Sequence, residues 1–250
     1  MSSAWYVVFV GLAAGVLGTG VGGFLVSVLN KPSDRVFSMV LGFSGGIMLS
    51  IVSFDLMPEA FEVAGVVWGI TGLIVGTALV AMVDFVVPHM HFMSTDCESS
   101  RFIRAGLFVG LGIAMHNLPE GMAIGAGFIS SERFGLGVAL LMTIQNMPEG
   151  MAMAAPMCRA GVTPLRAGLL ACLAGVPMGV GALIGATLGS VSPVVLSLSL
   201  GFAAGAMLFI TCDELIPDAQ EFRAGHTGTF GIVAGVVTGI VVSTLASVHF

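Results

Sequence analysis

Two short segments carry side chains whose types and spacing could hold a metal ion. They are His116-Asn117-Leu118-Pro119-Glu120-Gly121 and Gln145-Asn146-Met147-Pro148-Glu149-Gly150, which match at an offset of 29 residues. On a helix, His116 and Glu120 share a face, as do Gln145 and Glu149; Asn117 and Asn146 each stand one turn before a glutamate. One imidazole, two carboxylates and three amides form a mixed nitrogen and oxygen donor set. That set suits Zn²⁺, Fe²⁺, Mn²⁺, Co²⁺ or Cd²⁺ better than soft Cu⁺. Neither segment contains cysteine. A thiolate-free site with neutral amides binds moderately, as a site that must release its ion requires.

The elements that position these residues are apolar. The chain has 250 residues, of which 56% are hydrophobic and 9% charged, and its mean hydropathy is +1.05. That composition lies outside the range of water-soluble domains. A spanning helix takes about 20 apolar residues, and eight windows qualify: 5–29, 36–57, 66–88, 105–129, 134–157, 166–189, 194–216 and 228–249. The connectors between them are short, so residues 1–250 read as a single polytopic transmembrane domain, all-α, with its function inside the bundle. The first window has no Lys or Arg before it and is followed by seven more, which predicts a first span rather than a cleaved signal peptide. Glycines at helical spacing, such as Gly181/Gly185/Gly189, predict close helix packing. Cys97, Cys158, Cys172 and Cys212 form no CxxC pair and read as reduced, structural residues.

At the middle of a span, a charged side chain costs about 2.5–3.5 kcal/mol on insertion scales, and Glu120 and Glu149 both fall there. Pro119 and Pro148 are expected to open each helix locally, freeing the carbonyls of Met115 and Ile144. The competing reading makes the amides and prolines packing devices and pairs the glutamates with buried donors. Two copies at matched depth, with no Lys or Arg in the centre of either span, argue against it. A cation is the missing partner.

A second repeat relates residues 41–62 to residues 200–221 at an offset of 159, with identity at 11 of 22 positions. Five crossings separate the copies, so they run in opposite directions, as in the inverted repeats of secondary transporters. The chain therefore reads as eight helices in a 3+2+3 bundle, with the two motif helices at the centre. Lys and Arg in short loops are retained on the cytoplasmic side. With both termini outside, seven of the eight basic residues are cytoplasmic and only Arg133 is external. This orientation puts Asp55, Glu59 and Glu62 at an external entrance and Asp213, Glu214, Asp218 and Glu221 at a cytoplasmic exit, where acidic groups concentrate cations. The loop residues His89, His91, Asp96, Cys97 and Glu98 form a connector on the cytoplasmic side. A net charge of −6 and the lack of a basic cluster exclude nucleic acid as a partner.

The paired HNLPEG and QNMPEG segments resemble the fourth- and fifth-span signatures of the ZIP (Zrt/Irt-like) family of metal transporters, and the resemblance extends over all eight windows. It implies an eight-helix inverted-repeat fold, a homodimer in the cell membrane, and movement of Zn²⁺ or a similar ion into the cytoplasm. The metal is then the transported substrate, and no cofactor is implied. By the same resemblance His116, Glu120, Gln145 and Glu149 form the main site, with Asn117 and Asn146 toward a neighbouring one. Met48, in GGIML, matches a position that can face the site, although a thioether is a weak ligand. Where bacterial members often carry Glu before the sixth-span proline, this chain has Val176-Pro177, and Asn146 stands where Asp can occur, so the centre reads as a single mixed site. The alternative function is an intramembrane metal-dependent hydrolase. The chain has no HExxH and no GxSxG to support that activity.

Overall fold

A computed structural model describes residues 4–29, 33–86, 98–159, 161–221 and 225–248. They are helical almost throughout, and no strand occurs among them. The helices are α1 (Ala4–Leu29), α2 (Asp34–Ser50), α3 (Met57–Ala64), α4 (Val66–Val86), α5 (Glu98–Ser130), α6 (Glu132–Arg159), α7 (Pro164–Gly175), α8 (Pro177–Gly189), α9 (Pro193–Ile210), α10 (Ile216–Glu221) and α11 (Thr227–Val248). Short π-helical segments, Ile51–Leu56 and Thr211–Leu215, join α2 to α3 and α9 to α10. Each apolar window in the sequence thus falls on helix wherever its residues are described, apart from Val176 within 166–189. His89, His91, Asp96 and Cys97 lie outside the described residues.

Among the described residues, five helical stretches are long and apolar enough to cross a membrane: Ala4–Val26, Asp34–Ala64, Pro164–Gly189, Pro193–Glu221 and Thr227–Thr244. Val66–Met82 is apolar but shorter. The helices α5 and α6 carry the polar motifs. Large apolar side chains, among them Phe9, Val67, Leu173 and Phe230, face outward, as expected where the solvent is lipid.

The prolines act differently from the expectation. Pro119 lies inside α5 and Pro148 inside α6, yet both helices continue through them. One missing amide removes one rung of the ladder, and close packing on both sides holds the rest in register. Gly121 of α5 abuts the Met178 carbonyl, Gly181 of α8 abuts the Leu118 carbonyl, and Gly150 of α6 abuts the Thr19 carbonyl. A break does occur at Val176, where Pro177 separates α7 from α8 and the Val176 amide turns back to the Leu173 carbonyl at 3.1 Å.

The contacts of the two copies of the longer repeat match one another at the same offset of 159. Ser38 donates to the Ala219 carbonyl at 2.6 Å, and Ser197 donates to the Ala60 carbonyl at 2.7 Å. Gly42 and Gly46 abut the Gly228 and Ile232 carbonyls of α11, whereas Gly201 and Gly205 abut those of Gly69 and Leu73 in α4. The π-helical segments also fall at equivalent places in the two copies. Gly65 ends α3 at φ 93, a left-handed conformation that lets the chain reverse directly into α4.

Candidate functional site

The polar residues of the two motifs meet where α5 and α6 cross. Asn117, Glu120, Gln145 and Asn146 have no exposed surface, and Glu149 is 2% exposed, so the cluster is fully withdrawn from solvent. Gln145 Nε2 donates to Glu120 Oε1 at 2.5 Å and lies 3.4 Å from Asn146 Oδ1. Asn146 Nδ2 donates to Asn117 Oδ1 at 3.1 Å, and Asn117 Nδ2 donates to the Ala174 carbonyl at 2.9 Å. The opposite orientation of the Asn146 amide aims its nitrogen at Glu120 Oε2 (3.2 Å) and the Met142 carbonyl (3.3 Å). In either orientation Asn146 bridges the two motif helices.

Glu149 lies close enough to Glu120 for their charges to interact. Two buried carboxylates side by side are costly unless a positive partner offsets them. Gln145 Oε1 is a buried acceptor with no hydrogen-bond donor among the described residues. The side chain of His116 lies outside the described residues, and among those described no group of three or more His, Cys, Asp or Glu comes together. What the described residues supply is an oxygen-rich buried cluster, with carboxylates from both helices and one amide oxygen without a donor among the described residues.

Contacts from outside the motifs hold this cluster in place. Ser44 of α2 donates to the Gln145 carbonyl at 3.0 Å, fixing the residue that bridges to Glu120. Asn117 reaches a carbonyl beside the Val176–Pro177 break, so α5 is tied to the one place where its neighbouring rod departs from regular helix. Met48 is fully buried, and its sulfur accepts from Thr211 Oγ1 at 3.2 Å, joining the two π-helical segments' neighbourhoods. Ser44 and Thr211 are not legible as site residues in the sequence, since each is a lone hydroxyl in an apolar stretch.

The acidic ends differ from one another. Asp55 is half-buried; its Oδ1 accepts from Ser243 Oγ at 2.5 Å, and its Oδ2 is buried without a hydrogen-bond donor among the described residues. Glu59 accepts from Ser130 Oγ at the end of α5. Asp213 and Asp218 are exposed, and the side chain of Glu214 lies outside the described residues. Asp55 also lines a cavity of about 220 Å³ together with Ser131, Arg133, Val138, Leu141 and Ser243.

A family model described as ZIP zinc transporter matches residues 93–246 of this chain. The chain is 34% identical over 240 residues to the zinc transporter ZupT of Corynebacterium efficiens, covering 88% of this chain and 90% of that protein. It is 34% identical over 258 residues to ZupT of Chlorobium limicola, covering 94% and 96%. It is 36% identical over 239 residues to the zinc transporter ZIPB of Bordetella bronchiseptica, covering 90% and 76%.

Proposed function

The chain belongs to the ZIP zinc transporter family, and on that premise we propose that it moves Zn²⁺, or a similar divalent ion, across the cell membrane into the cytoplasm through the Glu120–Gln145–Glu149 site. The family is one of transporters, so the hydrolase alternative is set aside and the protein is not an enzyme. The observation that carries the reading is the burial of two neighbouring carboxylates, from two helices, beside an amide oxygen with no donor among the described residues. No Lys or Arg occurs between residues 105 and 132 or between 134 and 158 to offset them. A divalent cation does so, and it can leave again because amides bind it weakly.

In this reading His116, Glu120, Gln145 and Glu149 ligate the ion, Asn117 and Asn146 border it, and Met48 closes one side. The ion enters past Asp55 and Glu59 and leaves past Asp213, Glu214 and Asp218. The matched contacts at offset 159 support an eight-helix 3+2+3 bundle of two inverted repeats, since exchanging the copies exchanges Ser38–Ala219 with Ser197–Ala60. Such a bundle, as a homodimer with both termini outside, moves its site between two openings by rocking one repeat against the other.

Proteoliposomes loaded with a zinc-sensitive dye test this. Wild-type protein is expected to pass zinc, and Glu120→Ala is expected to lose at least about tenfold of that flux, as removal of a charged ligand would cause. Equal flux through Glu120→Ala that folds normally would overturn the site. Absence of flux in wild type would overturn transport.

A further inference from the structure

The cavity beside Asp55 contains a charge that the transport reading does not use. Arg133 stands in the first turn of α6 and, half-buried, lines the same 220 Å³ space as Asp55. Glu59 is held to this end of the molecule by Ser130, three residues before Arg133. The floor of the cavity is apolar, formed in part by Val138 and Leu141. Leu141 is one helical turn before Gln145, so the cavity ends roughly 6 Å along α6 from the buried site. Its volume accommodates an ion with part of its hydration shell, at about 30 Å³ for each water.

Resting on the transport reading, we propose that this cavity is the external vestibule for a divalent cation and that Arg133 is the counter-charge that sets how readily it fills. Asp55 Oδ2, buried without a donor among the described residues, is the oxygen an arriving ion would meet. Arg133 cancels one negative charge of the vestibule, so the local potential does not gather cations indiscriminately. An ion is held there only when it bonds directly to the carboxylate. Divalent ions do this more strongly than Na⁺ or K⁺, because a doubly charged ion gains about twice as much from one carboxylate. Arg133 repels a doubly charged ion about twice as strongly as a singly charged one, so it raises the zinc concentration at which the vestibule fills, and the direct bond to Asp55 alone favours zinc over monovalent salt. Focusing of charge in a cleft with apolar walls makes the effect larger than at an open surface.

The experiment is zinc uptake into proteoliposomes against zinc concentration, at low and high KCl. Arg133→Gln is expected to lower the half-saturating zinc concentration by roughly three- to tenfold at low salt, with the maximal rate little changed. The gain disappears at high salt, where screening removes it. Arg133→Lys keeps the wild-type value, and Asp55→Asn in the Arg133→Gln background abolishes the gain. Ser131→Lys, at an exposed position lining the same cavity, raises the half-saturating concentration and supplies the test if Arg133→Gln fails to fold. Flux in wild type with a half-saturation unaltered by Arg133→Gln and by Ser131→Lys would overturn this inference alone. A loss of the wild-type value in Arg133→Lys equal to that in Arg133→Gln would overturn it too, since charge would then not matter. Absence of flux in wild type would overturn the transport reading and take the vestibule with it.

Discussion

Gln145 and Asn117 are both buried amides, but their hydrogen bonds give them different tasks. Gln145 uses its nitrogen on Glu120 and leaves its oxygen without a donor among the described residues, so it has something to offer an ion. Asn117 spends its nitrogen on the Ala174 carbonyl and serves to hold α5 against the break in its neighbour. Thermal unfolding in detergent, with and without zinc, separates the two. A ligand at 100 times its dissociation constant stabilises the folded state by about 2.7 kcal/mol. Gln145→Ala is expected to lose most of that zinc-induced gain. Asn117→Ala is expected to keep the gain but to lower the metal-free stability by about 1–3 kcal/mol, the cost of orphaning a buried carbonyl and its partner amide. The motif residues are readable from the sequence because carboxylates and amides at helical spacing inside an apolar span are costly there without a bound partner. Ser44 and the Ala174 carbonyl are not readable, because what makes them matter is a partner 101 or 57 residues away.

At the scale of elements, hydropathy locates the helices, and proline misleads about where they yield. Pro119 and Pro148 carry the expectation of opened helices, but glycine contacts on α1 and α8 keep α5 and α6 continuous. The irregular places are Val176 and the two π-helical segments, which follow Ser50 and Ile210 with no proline before them. Each π segment is instead followed two residues on by a proline, Pro58 and Pro217, at matching places in the two copies. The repeat itself is visible in the sequence, and its consequence can be tested by symmetry. A methyl group added at Gly46 would overlap the Ile232 carbonyl, and one at Gly205 would overlap that of Leu73. Gly46→Ala and Gly205→Ala are each expected to destabilise the protein by about 1–3 kcal/mol, the usual cost of overpacking. Chemical unfolding should give two similar values. A loss at one site and none at the other would show that the two copies do not pack equivalently.

For the whole molecule, the direction in which it faces across the membrane bears on every other assignment. Seven of eight basic residues fall on one side if both termini are outside, and retention of Lys and Arg in short cytoplasmic loops favours that orientation. Asp55, Glu59 and Arg133 then face the exterior, and Asp213 and Asp218 the cytoplasm. Two exposed positions at opposite ends of the α7–α8 rod report the answer: Leu165 near its start and Val191 just after its end. In a variant whose four native cysteines are replaced by serine, Val191→Cys should react with a membrane-impermeant maleimide on intact cells. Leu165→Cys should react only after permeabilisation. The reverse pattern would turn the molecule over and make the Asp55 cavity an internal exit. Arg133 would then promote release of the ion rather than screen its entry, and Arg133→Gln would slow transport by holding zinc in the cavity instead of improving its capture.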